Sequence, residues 1–118
     1  MKVIYCKHFP IKGFFAINIC GLCIVRSEYK STMERNGFIA KKVLNHEGIH
    51  TLQMKETLYI GFYLFYLINW LCNLIICPKT AYKSISFEQE AYANDYNLNY
   101  KDERKHFSWM KYIFKKSK

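Results

Sequence analysis

The residues with the clearest chemical meaning are His46-Glu47-Gly48-Ile49-His50, an H-E-x-x-H motif. Apolar residues recur at helical spacing on both sides of the motif, so we expect it to lie within a helix. Two histidines four residues apart then project from one helix face, where both imidazoles can reach a Zn²⁺ ion at about 2.0–2.1 Å. Glu47 is not needed as a ligand and is placed to act as general base toward a water activated by the metal. The motif therefore predicts His46 and His50 as zinc ligands and Glu47 as the catalytic residue.

A third ligand is required, because catalytic zinc sites normally combine three protein ligands with one open position. The acidic segment at residues 84–100 begins with serines suited to an N-cap. It also places two glutamates in the first turns of a helix, where the helix dipole favours negative charge. Glu88, Ala91 and Asp95 share one face of this helix, and the small Ala91 allows a close approach to the motif helix. We therefore predict Glu88 as the third ligand, with Glu90 as the alternative.

Together the two motifs resemble those of the gluzincins, a group of zincin metallopeptidases. They are similar to those of the CaaX prenyl proteases, the HtpX-type membrane proteases and the BlaR-type sensor proteases. The resemblance covers about residues 38–100 and includes the sequence E-Q-E-A at residues 88–91, which matches the family's E-x-x-A. It implies peptide-bond hydrolysis, zinc binding by Glu88, and pairing of substrate backbone with an edge strand of a small sheet. In these families an aspartate follows the alanine and hydrogen-bonds a ligand histidine. Here Tyr92 takes that position, and Asp95 is the candidate for the role.

The remaining pattern predicts a single α+β domain. Short apolar runs between turn signals predict two to three strands that form a small antiparallel sheet within residues 1–30. Three main helices follow, and the motif helix is expected to pack on the Glu88 helix in a metal-site core at residues 38–100. Residues 101–118 form a basic, aromatic tail. The expected strands are residues 3–9, 14–20 and 22–28, and the expected helices are residues 38–55, 56–77 and 84–100.

The middle helix contains the longest uncharged stretch of the chain, 21 residues from Thr57 to Cys77. As a helix it is about 31 Å long, close to the ~30 Å hydrocarbon thickness of a bilayer. A single span would place His46 and His50 on one side of the membrane and Glu88 on the other. Two asparagines and several tyrosines also lie on one side of the helix, where contact with lipid is costly. We therefore expect one side of this helix on the domain and the other on a membrane surface or a partner, with a single-span membrane protein as the alternative.

Charge and cysteine content suggest the partner and the compartment. The formal net charge of +9 predicts an anionic partner, and the basic, aromatic tail suits an anchor on anionic lipid. No nucleic-acid-binding motif accompanies this charge, so we expect no nucleic-acid partner. The five cysteines are an odd number, and Cys20-Gly21-Leu22-Cys23 lacks the second pair of a zinc ribbon. We expect buried, reduced thiols, which favour a cytoplasmic protein that is peripheral at the membrane.

Three functions are compatible with these residues. In the first, the chain is a zinc metallopeptidase that hydrolyses a peptide or protein substrate near a membrane surface. In the second, the same ligands stabilise a non-catalytic module that binds a membrane or a partner. In the third, the chain is a metal-free, membrane-associated protein and the motif is a coincidence, with histidines on the surface and glutamates that act as cap charges. An open coordination position favours the first function over the second. Candidate donors to a developing oxyanion are Tyr92, Tyr96, Arg104 and His106.

Overall fold

The computed structural model describes residues 1–115 and confirms the predicted α+β class, a small sheet followed by helices. The last three residues of the predicted tail, 116–118, lie outside the described residues. The strands are β1 (Val3–Cys6), β2 (Ala16–Ile19) and β3 (Leu22–Arg26). The helices are α1 (Lys30–Glu34), α2 (Phe38–Glu56), α3 (Ile60–Ile76), α4 (Ser86–Asn94) and α5 (Tyr100–Glu103). Short 3-10 turns occupy Ser27–Tyr29, Pro78–Thr80 and Ser108–Tyr112.

The sheet has the strand order β1-β3-β2 and is mixed, because β1 pairs with β3 in parallel while β2 pairs with β3 antiparallel. The prediction of a purely antiparallel sheet is therefore wrong for β1. β2 and β3 form a tight hairpin, since Cys20 and Gly21 take left-handed backbone angles, φ 52° and 93°, that match the twist of antiparallel strands. The segment at residues 7–21 is long enough to carry the chain across the sheet, so β1 docks in parallel on the other side of β3. β2 is consequently an edge strand.

α2 and α3 meet at a sharp bend that helical periodicity does not predict. Leu58 takes a left-handed conformation with φ 57°, and the Tyr59 N–H donates to the Met54 C=O at 2.7 Å. This 6→1 hydrogen bond is one of the two that define a Schellman motif, and it satisfies a carbonyl group at the end of α2. α3 therefore begins at Ile60 instead of Glu56, and its axis is turned by 108° from that of α2. The bend allows α3 to contact both α2 and α4.

α3 has two different sides. On one side, Asn69 Oδ1 accepts a hydrogen bond from the Ser86 N–H at 2.8 Å, and Asn73 Nδ2 donates to the Ala81 C=O at 3.0 Å. This polar side therefore holds the segment that leads into α4. Within residues 1–115 no single helix is long and apolar enough to cross a membrane, although α2 and α3 counted together as a bent pair meet both criteria. The other side of α3 exposes the large apolar residues Ile60, Leu64, Ile68, Leu71 and Ile75.

α4 packs on α2 as predicted, but it is shorter than the sequence pattern indicates. Ile85 occupies the N-cap position, so the predicted serine cap is wrong, and α3 supplies the hydrogen-bond acceptor instead. At the other end, Asn45 Nδ2 donates to the carbonyl oxygens of Asp95 and Asn97, both at 2.9 Å. A side chain of α2 thus satisfies carbonyl groups at the end of α4, which stops the helix at Asn94 and fixes it against the motif helix.

The core consists of two apolar clusters. Cys23, Val25, Met33 and Ala40 form the cluster beneath the sheet. Met54, Phe62, Ile85, Phe87 and Trp109 form the cluster between α2, α3, α4 and the last 3-10 turn. The Trp109 side chain therefore belongs to the core and is not available to lipid.

All five cysteines are free. Cys23 is buried in the sheet, and burial raises the pKa of its thiol to about 12. Cys20 and Cys72 are exposed, so the prediction of buried thiols is wrong for them. For Cys20 the reason is its place in the tight turn between β2 and β3, where the side chain has no sheet face to pack on.

Candidate metal centre

The structure brings the side chains of His46, His50 and Glu88 together between α2 and α4. Glu88 Oε1 lies 3.2 Å from His46 Nε2 and 3.3 Å from His50 Nε2. One ligand atom from each residue lies within 4.8 Å of the other two. In a tetrahedral zinc site with bonds of 2.0–2.2 Å, ligand atoms are separated by roughly 3.4 Å. The three buried side chains can therefore hold a metal ion.

Each histidine is oriented by a hydrogen bond at its other ring nitrogen. His46 Nδ1 lies 3.0 Å from Asp95 Oδ2, which is the contact that the resemblance suggested for Asp95. His50 Nδ1 lies 2.8 Å from Gln53 Oε1. Gln53 Nε2 donates to Glu90 Oε1 at 2.9 Å and to a backbone carbonyl, so the amide oxygen is turned toward His50. Both histidines therefore donate an Nδ1 proton to these oxygens and direct Nε2 toward Glu88.

The third ligand is held by a tyrosine that the sequence pattern did not single out. The Tyr66 hydroxyl of α3 donates to Glu88 Oε2 at 2.7 Å, which leaves Oε1 directed at the two histidines. Burial and the nearby Glu88 carboxylate raise the pKa of Tyr66, so its hydroxyl keeps the proton that it donates. Position 66 is distant from the motifs in sequence, and only the bend between α2 and α3 brings it to the site.

The alternative ligand Glu90 points away from the metal site. Its Oε2 atom accepts hydrogen bonds from Arg104 Nε at 2.8 Å and from the Tyr100 hydroxyl at 2.7 Å. Arg104 also donates to both carboxylate oxygens of Glu56, at 2.8 and 3.2 Å. Arg104 is thus wrong as an oxyanion donor, and so is the exposed His106, which contacts Glu56 instead. Glu90 points away because residues two apart on a helix project to nearly opposite sides, so Glu88 and Glu90 cannot both contribute to one site.

Of the other two predicted donors, Tyr92 lies beside the site and Tyr96 does not. The Tyr92 ring contacts the His46 ring edge-on, with 4.6 Å between the ring centres. Its hydroxyl lies 3.4 Å from the hydroxyl of Tyr82. Tyr96 is exposed beyond the end of α4.

Glu47 has the surroundings expected of a general base. It is 6% exposed, and among residues 1–115 its Oε2 atom is buried without a hydrogen-bond partner. Burial raises the pKa of the carboxyl group, while positive charge on His50 and His46 opposes that rise. A buried carboxylate oxygen without a protein partner is costly unless it binds water or substrate. The geometry therefore suits a group that exchanges a proton with a small molecule in the site.

Without a metal, the cluster is held together by charge. Burial disfavours a charged His46, but hydrogen bonds to Asp95 and Glu88 raise its pKa to about 10. Likewise the Glu88 carboxylate raises the pKa of the buried His50. Burial alone disfavours charge on Glu88, but positive His50 and the hydrogen bond from His46 lower its pKa well below the usual range. A cation must displace the protons on both Nε2 atoms, so metal binding releases protons and strengthens as the pH rises.

The site opens into a cavity of about 510 Å³ lined by β2, α3 and the segment before β2. Glu47, His50 and Glu88 are among its lining residues. The Phe15 C=O accepts from the Arg26 N–H of β3 at 3.2 Å, so the odd-numbered residues of β2 bond to β3. By strand alternation, the backbone groups of Ala16 and Asn18 are directed away from β3. The edge of the sheet therefore borders the cavity beside the metal site.

Asn18 fixes this edge to the motif helix. Its Nδ2 atom donates to the Glu47 C=O at 2.6 Å and to Thr51 Oγ1 at 2.7 Å. The side chain is buried, so these bonds replace its contacts with water. β2 is thus held next to Glu47, the candidate general base.

The cluster contains three candidate ligands and, within residues 1–115, no fourth histidine, cysteine or carboxylate joins it. A structural zinc site is normally closed by four side chains, whereas a catalytic site leaves one position for water or substrate. The residues present therefore fit a zinc ion with an open position. A scan against protein-family models and searches of curated proteins and of solved structures found no match to this chain, so its function is inferred from the site itself.

Proposed function

We propose that this chain is a zinc-dependent metallopeptidase that hydrolyses peptide bonds near a membrane surface, a minimal relative of the gluzincin-type membrane proteases. The observation that carries the proposal is the position of Glu47, a buried carboxylate without a protein partner among the described residues. It lies beside a three-ligand cluster at the wall of a cavity. A non-catalytic zinc site needs neither an open position nor such a carboxylate.

In the proposed reaction, the metal, the candidate base and the cavity residues have separate roles. A bound zinc ion supplies Lewis acidity and makes water nucleophilic near neutral pH. Glu47 accepts a proton from the attacking water and passes it to the leaving amine as the peptide bond breaks. Tyr82 lines the cavity, and burial raises the pKa of its hydroxyl, so it remains a protonated donor for the developing oxyanion. Tyr66 also lines the cavity, but its hydroxyl donates to Glu88 and keeps that carboxylate in place. The backbone of Ala16 is placed to pair with an extended substrate.

Metal content tests the ligand set directly. The purified wild-type protein is expected to bind about one equivalent of zinc, because three protein ligands and one water complete a tetrahedral site. His46→Ala and His50→Ala each remove a ligand and should lose the bound zinc, whereas Glu47→Gln should retain it. His8→Ala, at an exposed histidine outside the cluster, is the control and should bind as wild type does. Equal zinc content in all five proteins, measured by plasma mass spectrometry after dialysis, would reject the metal site.

We further propose that the apolar side of α3 rests on an anionic membrane. This side exposes a row of large aliphatic residues, while the opposite side is bonded to the domain through Asn69 and Asn73. A soluble monomer rarely leaves such a continuous apolar face in water. The net charge of +9 adds attraction to anionic lipid. An α-helix of this kind lies in the plane of the interface, with its apolar face in the acyl region.

Vesicle sedimentation tests the membrane contact. Binding to vesicles with phosphatidylserine should exceed binding to neutral vesicles and should weaken at high salt, since the electrostatic part is screened. Ile68→Glu should reduce the affinity at least about tenfold, because it places a charge where an exposed aliphatic chain would otherwise enter the membrane. Ile39→Glu is the matched control, as Ile39 and Ile68 are 57% and 51% exposed but only Ile68 lies on α3. Equal effects of the two substitutions, or equal binding to both kinds of vesicle, would contradict this orientation.

A further inference from the structure

One face of α3 forms a wall of the cavity beside the metal site. Tyr63, Tyr66, Leu67 and Trp70 line it, at the i, i+3, i+4 and i+7 spacing of a single helical face. Tyr66 is bonded to Glu88, so this wall begins at the metal ligands. Trp70 follows Tyr66 by one turn and extends the apolar wall along the helix.

The segment between β1 and β2 adds further apolar groups to the cavity. Phe9, Ile11 and Phe14 of this segment are among its lining residues. A volume of about 510 Å³ falls within the 300–1,000 Å³ that is typical of binding cavities, which are mostly lined by apolar and aromatic groups. The space is therefore large enough for a bulky side chain of a bound peptide in addition to its backbone.

The charges that line the cavity all belong to the metal site. They are Glu47, His50 and Glu88, and within residues 1–115 no lysine or arginine lines the cavity. An enzyme that removes residues from a chain end needs a charged group for the terminal carboxylate or amine, because burying an unpaired charge is costly. This cavity provides none beyond the metal site, and an internal, uncharged segment of a peptide suits it better.

We infer that the site accepts an internal segment of a polypeptide with a bulky apolar residue next to the scissile bond, which makes it an endopeptidase site. The inference rests on the proposed peptidase function and specifies its substrate class. The apolar side chain packs against Leu67 and Trp70 of α3 and against Phe14, which all line the cavity. The substrate backbone lies along the edge of β2, at the even-numbered residues that face away from β3.

Peptide binding to a zinc-loaded Glu47→Gln variant separates recognition from catalysis. The probes are fluorescent peptides of about eight residues, acetylated and amidated, that differ only in one central residue: Phe, Ala, Glu or Lys. We expect the Phe peptide to bind at least about tenfold more tightly than the Ala peptide, because discrimination by even one methylene in an apolar pocket reaches that range. Peptides with free ends should bind no better than blocked ones.

A charge placed in the cavity provides the second part of the test. Leu67→Glu, made in the Glu47→Gln background, should weaken binding of the Phe peptide and improve binding of the Lys peptide. Leu71→Glu is the matched control, since Leu67 and Leu71 are 50% and 47% exposed but only Leu67 lines the cavity. Should Leu67→Glu fail to fold, Trp70→Ala serves in its place and should reduce the preference for Phe.

The outcomes separate this inference from the proposed function. Selective binding of the Phe peptide without any cleavage by the wild-type protein would support the cavity assignment and reject the peptidase function. Equal binding of the Phe, Ala and Glu peptides, absence of binding, or a requirement for a free chain end would overturn the inference. Cleavage by the wild-type protein without an apolar preference would overturn it as well, while leaving the peptidase function intact.

Discussion

Replacing Glu47 by glutamine is expected to lower peptidase activity by about 10²–10⁴-fold, the range that general acid–base groups contribute. Glutamine has nearly the shape of glutamate but cannot accept the proton of the attacking water. The ligands are untouched, because neither His46 nor His50 is hydrogen-bonded to the Glu47 side chain. Zinc content should therefore remain that of the wild type. The measurement is the rate of cleavage of a peptide mixture at saturating zinc, together with metal analysis of the same samples.

The control for this variant is Glu34→Gln, at an exposed glutamate of α1 outside the site. It makes the same chemical change and should leave both activity and zinc content unaltered. An active Glu47→Gln protein would remove Glu47 from the mechanism. A loss of activity that is accompanied by a loss of zinc would instead make Glu47 part of the metal-binding structure, in favour of the non-catalytic zinc module.

The arrangement of the candidate ligands follows from short-range geometry, which is why the sequence predicts it. His46 and His50 are one helical turn apart on α2. Glu88 and Asp95 are two turns apart on one face of α4 and its C-cap. The contact between Gln53 and His50 has the same origin, since residues three apart on a helix are neighbours, although the pattern did not single it out. Such contacts require only that a helix forms and that the two helices meet.

Contacts that depend on the path of the chain could not be predicted in this way. Tyr66 reaches Glu88 only because Leu58 takes a left-handed backbone angle and turns α3 back toward α4. The parallel pairing of β1 depends on which side of β3 remains open, and periodicity contains no information about strand order. The basic tail has the composition of a membrane anchor, yet Trp109 packs in the core because Phe87 and Phe65 offer it an aromatic surface.

Replacing Arg104 by methionine is expected to destabilise the fold by about 3–5 kcal/mol, the usual cost of removing one partner of a buried ion pair. The side chains of Arg104, Glu90 and Glu56 are 3%, 0% and 6% exposed, so water cannot replace the lost guanidinium. Arg104 donates to Glu90 at 2.8 and 3.0 Å and to Glu56 at 2.8 and 3.2 Å. Its removal leaves two carboxylates close together without their common cation. Urea unfolding followed by circular dichroism measures the change.

This network also connects stability to the metal site. Glu90 accepts a hydrogen bond from Gln53 Nε2, and Gln53 in turn orients His50. A displacement of the Glu90 side chain should therefore weaken zinc binding as well as the fold. Arg104→Lys keeps the charge but not the planar pair of donors, and an intermediate stability is expected. Arg35→Met, at an exposed arginine, is the control for the loss of charge alone and should change the free energy of unfolding by less than about 0.5 kcal/mol. Suppose that Arg104→Met were as stable as this control and bound zinc equally well. The buried ion-pair network would then support neither the fold nor the orientation of His50.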